Sequence, residues 1–182
     1  AVFHCPYCDG WEIRDKEVGV YARNKNGYEL ALALKCWTKY ITIYTDGRNK
    51  FKPKEVEMLV ANGITIVSYP VLKLEHNDDQ LKHVLLKNGE KRRCEAMFFV
   101  NGYQQQCNLA ETFGCEMTKT GVVVTNRHQQ TNIEGLYVAG DADKDVQFVV
   151  VAAAEGAKAG VIINKELIKE ETRQPSEKIP AL

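Results

Sequence analysis

Cys5 and Cys8 stand two residues apart in the stretch His4-Cys5-Pro6-Tyr7-Cys8-Asp9-Gly10-Trp11-Glu12. Two thiols at that spacing can close a disulfide, hold a metal or stay inert. A zinc site takes four ligands, commonly from two such pairs. Only one pair is present here, and with His4 beside it one ligand is still unaccounted for. A redox dithiol is the reading with the most chemistry behind it: one thiolate attacks a disulfide and the other resolves the mixed disulfide. Thiolate character would come from a helix N-terminus or a charged neighbour. Asp9, directly after the second cysteine, can donate a proton to a leaving thiolate. Its bland alternative is a turn or cap residue before Gly10.

The remaining cysteines, Cys36, Cys94, Cys107 and Cys115, show no framework spacing. Each is expected to be a buried or half-buried structural thiol. No charged-then-apolar leader opens the chain, so the expected compartment is the reducing cytoplasm. A CxxC there is more often catalytic or metal-binding than a staple. The 182 residues are 45% hydrophobic and 26% charged, enough apolar mass for a core in one large or two small domains. Lys and Arg number 24, as do Asp and Glu, so no charge excess points to nucleic acid or an anionic membrane surface. No apolar run reaches the roughly 18 residues of a membrane span. The longest, from Val146 to Ile163, is broken by Glu155, Gly156 and Lys158.

The elements that must position these residues follow in order. Glu17 to Ala22 reads as a short buried strand, and the next stretch carries Leu30, Ala31, Leu34 and Trp37 at helical spacing. A second strand, "ITIYTDG", completes a βαβ unit with a parallel pair. A helix opened near Pro53 and stopped by Asn62-Gly63 leads to a third strand, "ITIVSY". The segments from Val71 to Gly102 are punctuated by turns and read as antiparallel strands added to the parallel core. A domain crossing is expected near Asn101-Gly102-Tyr103. Beyond it come a short helix at "NLAETFG", two strands between Gly121 and Ala142 with a turn at Glu134-Gly135, and a long helix after Val146. Its small residues, Ala152 to Ala154, Gly156, Ala157, Ala159 and Gly160, predict close backbone approach.

A βαβ unit is where a dinucleotide should bind, through G-x-G-x-x-G/A in the first turn. Here that turn is Ala22-Arg23-Asn24-Lys25-Asn26-Gly27. A side chain at Asn24 should crowd a pyrophosphate. Arg23 and Lys25 could offset this as cationic phosphate contacts, or be solvated turn residues. Asp46, at the end of the second strand, suits a free ribose 2′-hydroxyl and opposes a 2′-phosphate, while Arg48 and Lys50 would favour one.

"CPYC" also occurs in glutaredoxins, but a thioredoxin-type fold would continue it into a long amphipathic helix. Asp9-Gly10 and "EIRDKE" interrupt it, and a βαβ unit follows. The order "HCPYCDGWEIRDKEVGVY", βαβ unit, "TNIEGLYVAGDA", small-residue helix resembles the low-molecular-weight thioredoxin reductase family of flavoproteins. Within it the closer likeness is to a branch that includes microbial dithiol oxidases with a C-P-x-C motif. The resemblance implies an α/β fold: a Rossmann-like three-layer nicotinamide domain over 1–102, then the C-terminal half of a split FAD-binding domain over 103–182. Cys5 and Cys8 would be the redox disulfide, with Cys8 facing the flavin and Asp9 as the acid. Gly140 and Asp141 would hold the ribityl-phosphate region of FAD, and Gln147 and Phe148 would lie by its ring. Arg23, Asn24, Asn26, Asp46 and Arg48 would meet NADPH or NADH.

The implied reaction passes electrons between NAD(P)H, FAD, the Cys5–Cys8 couple and an external disulfide or dithiol. The partner would be a small thioredoxin-like protein or a small-molecule disulfide, and the assembly a homodimer. An alternative is an FAD-dependent dithiol oxidase that uses oxygen and needs no nicotinamide. Another is a degenerate, non-catalytic fragment or binding protein. Family members carry a glycine-rich flavin-binding half ahead of the nicotinamide domain. Its absence here leads to the expectation that this chain alone binds FAD weakly or not at all and is inactive alone.

Overall fold

The computed structural model describes residues 1–47, 49–100, 104–143 and 146–173. The chain divides into two compact units, Ala1–Asn101 and Gly102–Leu182.

Unit 1 runs β1 (Val2–Phe3), a one-turn α1 (Pro6–Asp9), β2 (Val18–Tyr21), α2 (Lys25–Leu34), β3 (Ile41–Tyr44), α3 (Pro53–Ala61), β4 (Thr65–Val67), β5 (Val71–Asn77), β6 (Gln80–Leu86), β7 (Lys91–Arg93) and β8 (Ala96–Phe99). β1, β8, β2, β3 and β4 lie in that order in one sheet, and every pairing is parallel. A parallel sheet must be covered on both faces, and successive side chains of a strand point to opposite faces. Val18, Val20, Ile41, Ile43, Ala96 and Phe98 accordingly share one core with Ala31 and Leu34 of α2 and Leu59 of α3. Tyr44, Val67 and Met97 point the other way and meet Leu81, Val84 and Leu86 of β6. The layers are helices, parallel sheet and a second, three-stranded antiparallel sheet, β5-β6-β7.

Two expectations change here. The antiparallel strands do not extend the parallel sheet but form a sheet of their own that covers it. β8, read with them, instead enters the parallel sheet between β1 and β2. Its residues explain why: Ala96, Met97 and Phe98 are all buried, the unbroken apolar run of a strand covered on both faces. β1 was not foreseen; it holds only Val2 and Phe3, too short to show a period.

Unit 2 contains α4 (Leu109–Thr112), a 3₁₀ turn over Gly140–Ala142 and α5 (Val149–Arg173). The two strands expected between Gly121 and Ala142 are not formed among the described residues. Isolated bridges stand in their place, Met117 to Val123, Val123 to Asp143 and Gln130 to Tyr137. A strand needs a ladder of partners, and within this unit each segment finds them one residue at a time. The turn at Glu134-Gly135 is present, with Gly135 at φ 75° and Leu136 N–H bonded to Ile133 O at 3.1 Å. Along α5 only Glu155 and Ala159 are buried, and added Cβ atoms at Gly156 and Gly160 would meet open space. Ala152 makes one close approach of the expected kind, against the Gly140 turn.

Phe98 is fully buried in the middle of the sheet, its ring centroid 5.4 Å from that of Phe3. Phe98→Ala is expected to destabilise the chain by about 3–5 kcal/mol in urea denaturation. A loss under about 1 kcal/mol would show that this layer does not carry the fold.

Candidate active site

In a parallel sheet all strands deliver their following loops to one edge, where α/β proteins bind ligands. The loop after β1 carries Cys5 and Cys8, the loop after β2 carries Arg23 and Asn24, and the loop after β3 carries Asp46. Cys5 is the N-cap of α1 and Pro6 its first residue, a position where a missing N–H costs nothing. The Cys5 carbonyl accepts from Cys8 N–H at 3.3 Å and Asp9 N–H at 3.2 Å, which winds the turn and sets both sulfurs on it. Both cysteines are free thiols, Cys5 half-buried and Cys8 exposed. A hydrogen bond to the Cys5 sulfur raises the Cys8 thiol above its ordinary value, and desolvation and the charges of Cys5 and Asp9 add to it.

Gly10 closes this turn under Trp37. A Cβ at position 10 would lie 2.4 Å from the indole and 2.3 Å from the Pro6 carbonyl oxygen. Trp37 follows the end of α2, so that helix seats the CxxC turn from behind. Sequence reading placed Trp37 on the helix face and did not connect it with Gly10; no local signal links them.

The other cysteines differ in reactivity. Burial pushes the Cys94 thiol up to about 11, and its S–H donates to the Ala96 carbonyl. Cys115 is buried too. Cys36 and Cys107 are exposed, against the expectation of buried or half-buried thiols, because Cys36 stands in the turn after α2 and Cys107 in the bend ahead of α4, outside any buried element.

At the neighbouring crevice the predicted nucleotide residues are brought together, but as each other's partners. Arg23 Nε donates to Thr45 O at 2.8 Å, and its Nη2 donates to Asp46 O at 2.8 Å and to Asp46 Oδ2 at 2.6 Å. Asp46 also accepts from Tyr21 Oη at 2.8 Å and from Val71 N–H at 2.9 Å. The Tyr21 bond, with those from Val71 and Arg23, holds its carboxyl below the usual range against some desolvation. Asn24 is the exposed N-cap of α2 without a side-chain cap bond, and Asn26 is exposed in the first turn. Gly27 fills the third glycine's place: a Cβ there would lie 2.3 Å from Ala22 Cβ, the close helix-to-strand contact that position serves. Arg48 lies outside the described residues.

In unit 2, Gly140 sits at φ 78°, and a Cβ there would lie 3.2 Å from Ala152 Cβ. Its N–H donates to Glu155 Oε2 at 2.7 Å. Glu155 is buried, and sequence reading took it only as a break in an apolar run. Asp141 is exposed, Gln147 Nε2 donates to the Asp141 carbonyl at 3.3 Å, and Phe148 is half-buried just ahead of α5.

The family model for pyridine nucleotide-disulphide oxidoreductases matches residues 27–156. The chain belongs to that family. It is 28% identical over 178 residues to the thioredoxin reductase sirT of Leptosphaeria maculans, covering 90% of this chain and 54% of that protein. It is 29% identical over 167 residues to a thioredoxin reductase of Treponema pallidum, covering 87% and 54%. Its fold superposes on a solved oxidoreductase from Agrobacterium tumefaciens with TM-score 0.81 at 26% identity, covering 92% and 56%. The chain spans about half the length of these relatives. The family is FAD-dependent. The Gly140 turn fits a flavin's polyol tail in kind, because Glu155 fixes the backbone and leaves the Asp141 carboxylate at the surface to accept hydroxyl protons. No helix among the described residues is long and apolar enough to cross a membrane.

Two outcomes follow from this geometry. Cys5→Ala removes the main cause of the raised Cys8 value. The midpoint of Cys8 alkylation against pH is then expected to move down, toward the roughly 8.5 of a free thiol. An unmoved or higher midpoint would dissolve the pairing of the two sulfurs. Gly10→Ala is expected to cost about 1–3 kcal/mol by overpacking against Trp37, and Gly10→Ala with Trp37→Leu to recover part of that loss in thermal unfolding.

Proposed function

We propose that Cys5 and Cys8 are the dithiol–disulfide couple of a thioredoxin reductase-like flavoenzyme, exchanging electrons with FAD and with an external disulfide or dithiol. The observation that carries this is the free, hydrogen-bonded thiol pair on a turn at the ligand-binding edge of the sheet, in a chain of this family.

The steps belong to the chain's own groups. Cys5, as thiolate, attacks one sulfur of an external disulfide RSSR. A Cys5–S–S–R bond forms and one RS⁻ leaves, taking a proton for which Asp9, one residue past Cys8, is the nearest acid in sequence. Cys8 then loses its proton and attacks the Cys5 sulfur, which closes the Cys5–Cys8 disulfide and releases the second RS⁻. Two electrons have passed from the pair to RSSR, and the reverse order oxidises a dithiol. The raised Cys8 thiol suits this order, in which Cys8 is the second, resolving sulfur. Gly140, Asp141, Gln147 and Phe148 would hold the flavin, and FAD, when bound, would supply the two-electron store that resets the couple. A small thioredoxin-like protein or a small-molecule disulfide is the partner whose chemistry fits.

The test uses a background in which the exposed Cys36 and Cys107 are serine. Reacted with an aromatic disulfide reporter, the chain is expected to release two thiols per molecule and to end with an internal disulfide by mass. Cys8→Ser should stop at a stable mixed disulfide, and Cys5→Ser should react about tenfold more slowly or less. If the two single variants react alike and no internal disulfide closes, the assignment is lost.

A further inference from the structure

We infer that the dinucleotide crevice of unit 1 is closed from within by Arg23, so that the chain takes neither NADH nor NADPH there. The inference rests on reading unit 1 as the family's nicotinamide domain. It concerns the edge of the sheet where such a domain would receive the adenosine end of the cofactor.

A Rossmann-type crevice needs two things at this place. The turn after the first strand must offer bare backbone to the pyrophosphate, and the acidic residue after the second must offer a free carboxylate edge to the ribose hydroxyls. Neither is offered. The first two glycine positions of the fingerprint hold Ala22 and Asn24, with Arg23 between them, and only the third, Gly27, keeps its packing role. The carboxylate is already engaged: Asp46 Oδ2 takes Arg23 and Tyr21, and Oδ1 takes the Val71 N–H. The guanidinium that lies across it also holds the carbonyls of Thr45 and Asp46, and Thr45 is fully buried. The Arg23 backbone is pinned as well, its carbonyl receiving Lys50 N–H at 2.8 Å.

A lone surface ion pair would yield easily to a ligand. This one is not lone. To admit a ribose, Arg23 must give up two backbone carbonyls and a carboxylate together, and the ribose hydroxyls would replace only the last of these. A 2′-phosphate on NADPH would in addition be opposed by the Asp46 carboxylate, which its partners hold ionised. The closure leaves the third glycine's packing in place: Gly27 still seats the helix on Ala22.

The experiment titrates the 182-residue chain separately with NADH and NADPH, following nicotinamide fluorescence and the heat of binding. No saturation is expected up to about 1 mM, the weak end of specific affinities. Arg23→Gly with Asn24→Gly, folded by circular dichroism and unfolding midpoint, is expected to bind NADH at least tenfold more tightly than the parent. Arg23→Gln opens the crevice without new glycines and is expected to gain in the same direction, which keeps the test alive if the double variant does not fold. Saturation of the unaltered chain by either nucleotide overturns the inference. So does the failure of a folded, opened variant to gain binding, since Arg23 is then not the plug. Thiol exchange at Cys5 and Cys8 is read by a different assay on the same proteins, so its loss would count against the couple and not against the closure.

Discussion

Unit 1 depends on a parallel sheet that has to be covered on both faces. Parallel strands cannot be joined by tight turns, so each connection crosses the sheet and leaves a layer behind it. Helices α2 and α3 make one layer and the β5-β6-β7 sheet the other, and the strands divide their side chains between them residue by residue. The same constraint makes the chemistry local. Because β1, β2 and β3 run one way, the turns that follow them open on one edge. The thiols, the loop after β2 and the carboxylate after β3 reach that edge from positions up to about forty residues apart in the chain.

Much of this was legible because burial leaves a periodic trace. The βαβ unit, α3 and its stop at Asn62-Gly63 follow from spacing and turn residues alone. β8 shows where such reading slips. "AMFFV" has the unbroken apolar character of a strand buried on both sides, yet it follows two alternating strands and was grouped with them. Its neighbours in the sheet, β1 and β2, lie far before it in the chain: Val2 pairs with Met97 and Val18 with Ala96, a relation no window can see. Unit 2 fails for another reason. Its valines have strand propensity, but a strand is defined by partners, and within the unit the bridges stay single.

The site residues divide the same way. That Cys5, Cys8 and Asp9 share one turn was legible, because their spacing is the turn. That Trp37 lies over Gly10, or that the buried Glu155 carboxylate receives the Gly140 N–H, was not, because each contact joins residues from different elements. Glu155 is instructive. In a run of alanines and valines a charge looks like an interruption, whereas a buried carboxylate has to find a donor or a proton. Gly140, forced to a positive φ, exposes a backbone N–H at the right place.

The charged residues at the crevice show what residue type cannot say. Arg23 and Asp46 are the kinds of side chain that meet a phosphate and a ribose, and the turn brings them to the place where those groups would lie. An arginine and an aspartate delivered to one edge can also satisfy each other, and then the ligand must compete with a contact that is always present at full local concentration. Which state holds is decided by the third and fourth partners. Tyr21 from β2 and the Val71 N–H from β5 hold the carboxylate independently of Arg23, and the Thr45 and Asp46 carbonyls orient the guanidinium. A pair preorganised on both sides loses little on forming. The sequence holds each of these residues, but only the sheet order that sets β2 beside β3, and β5 across the edge from them, turns two candidate ligands into one internal contact.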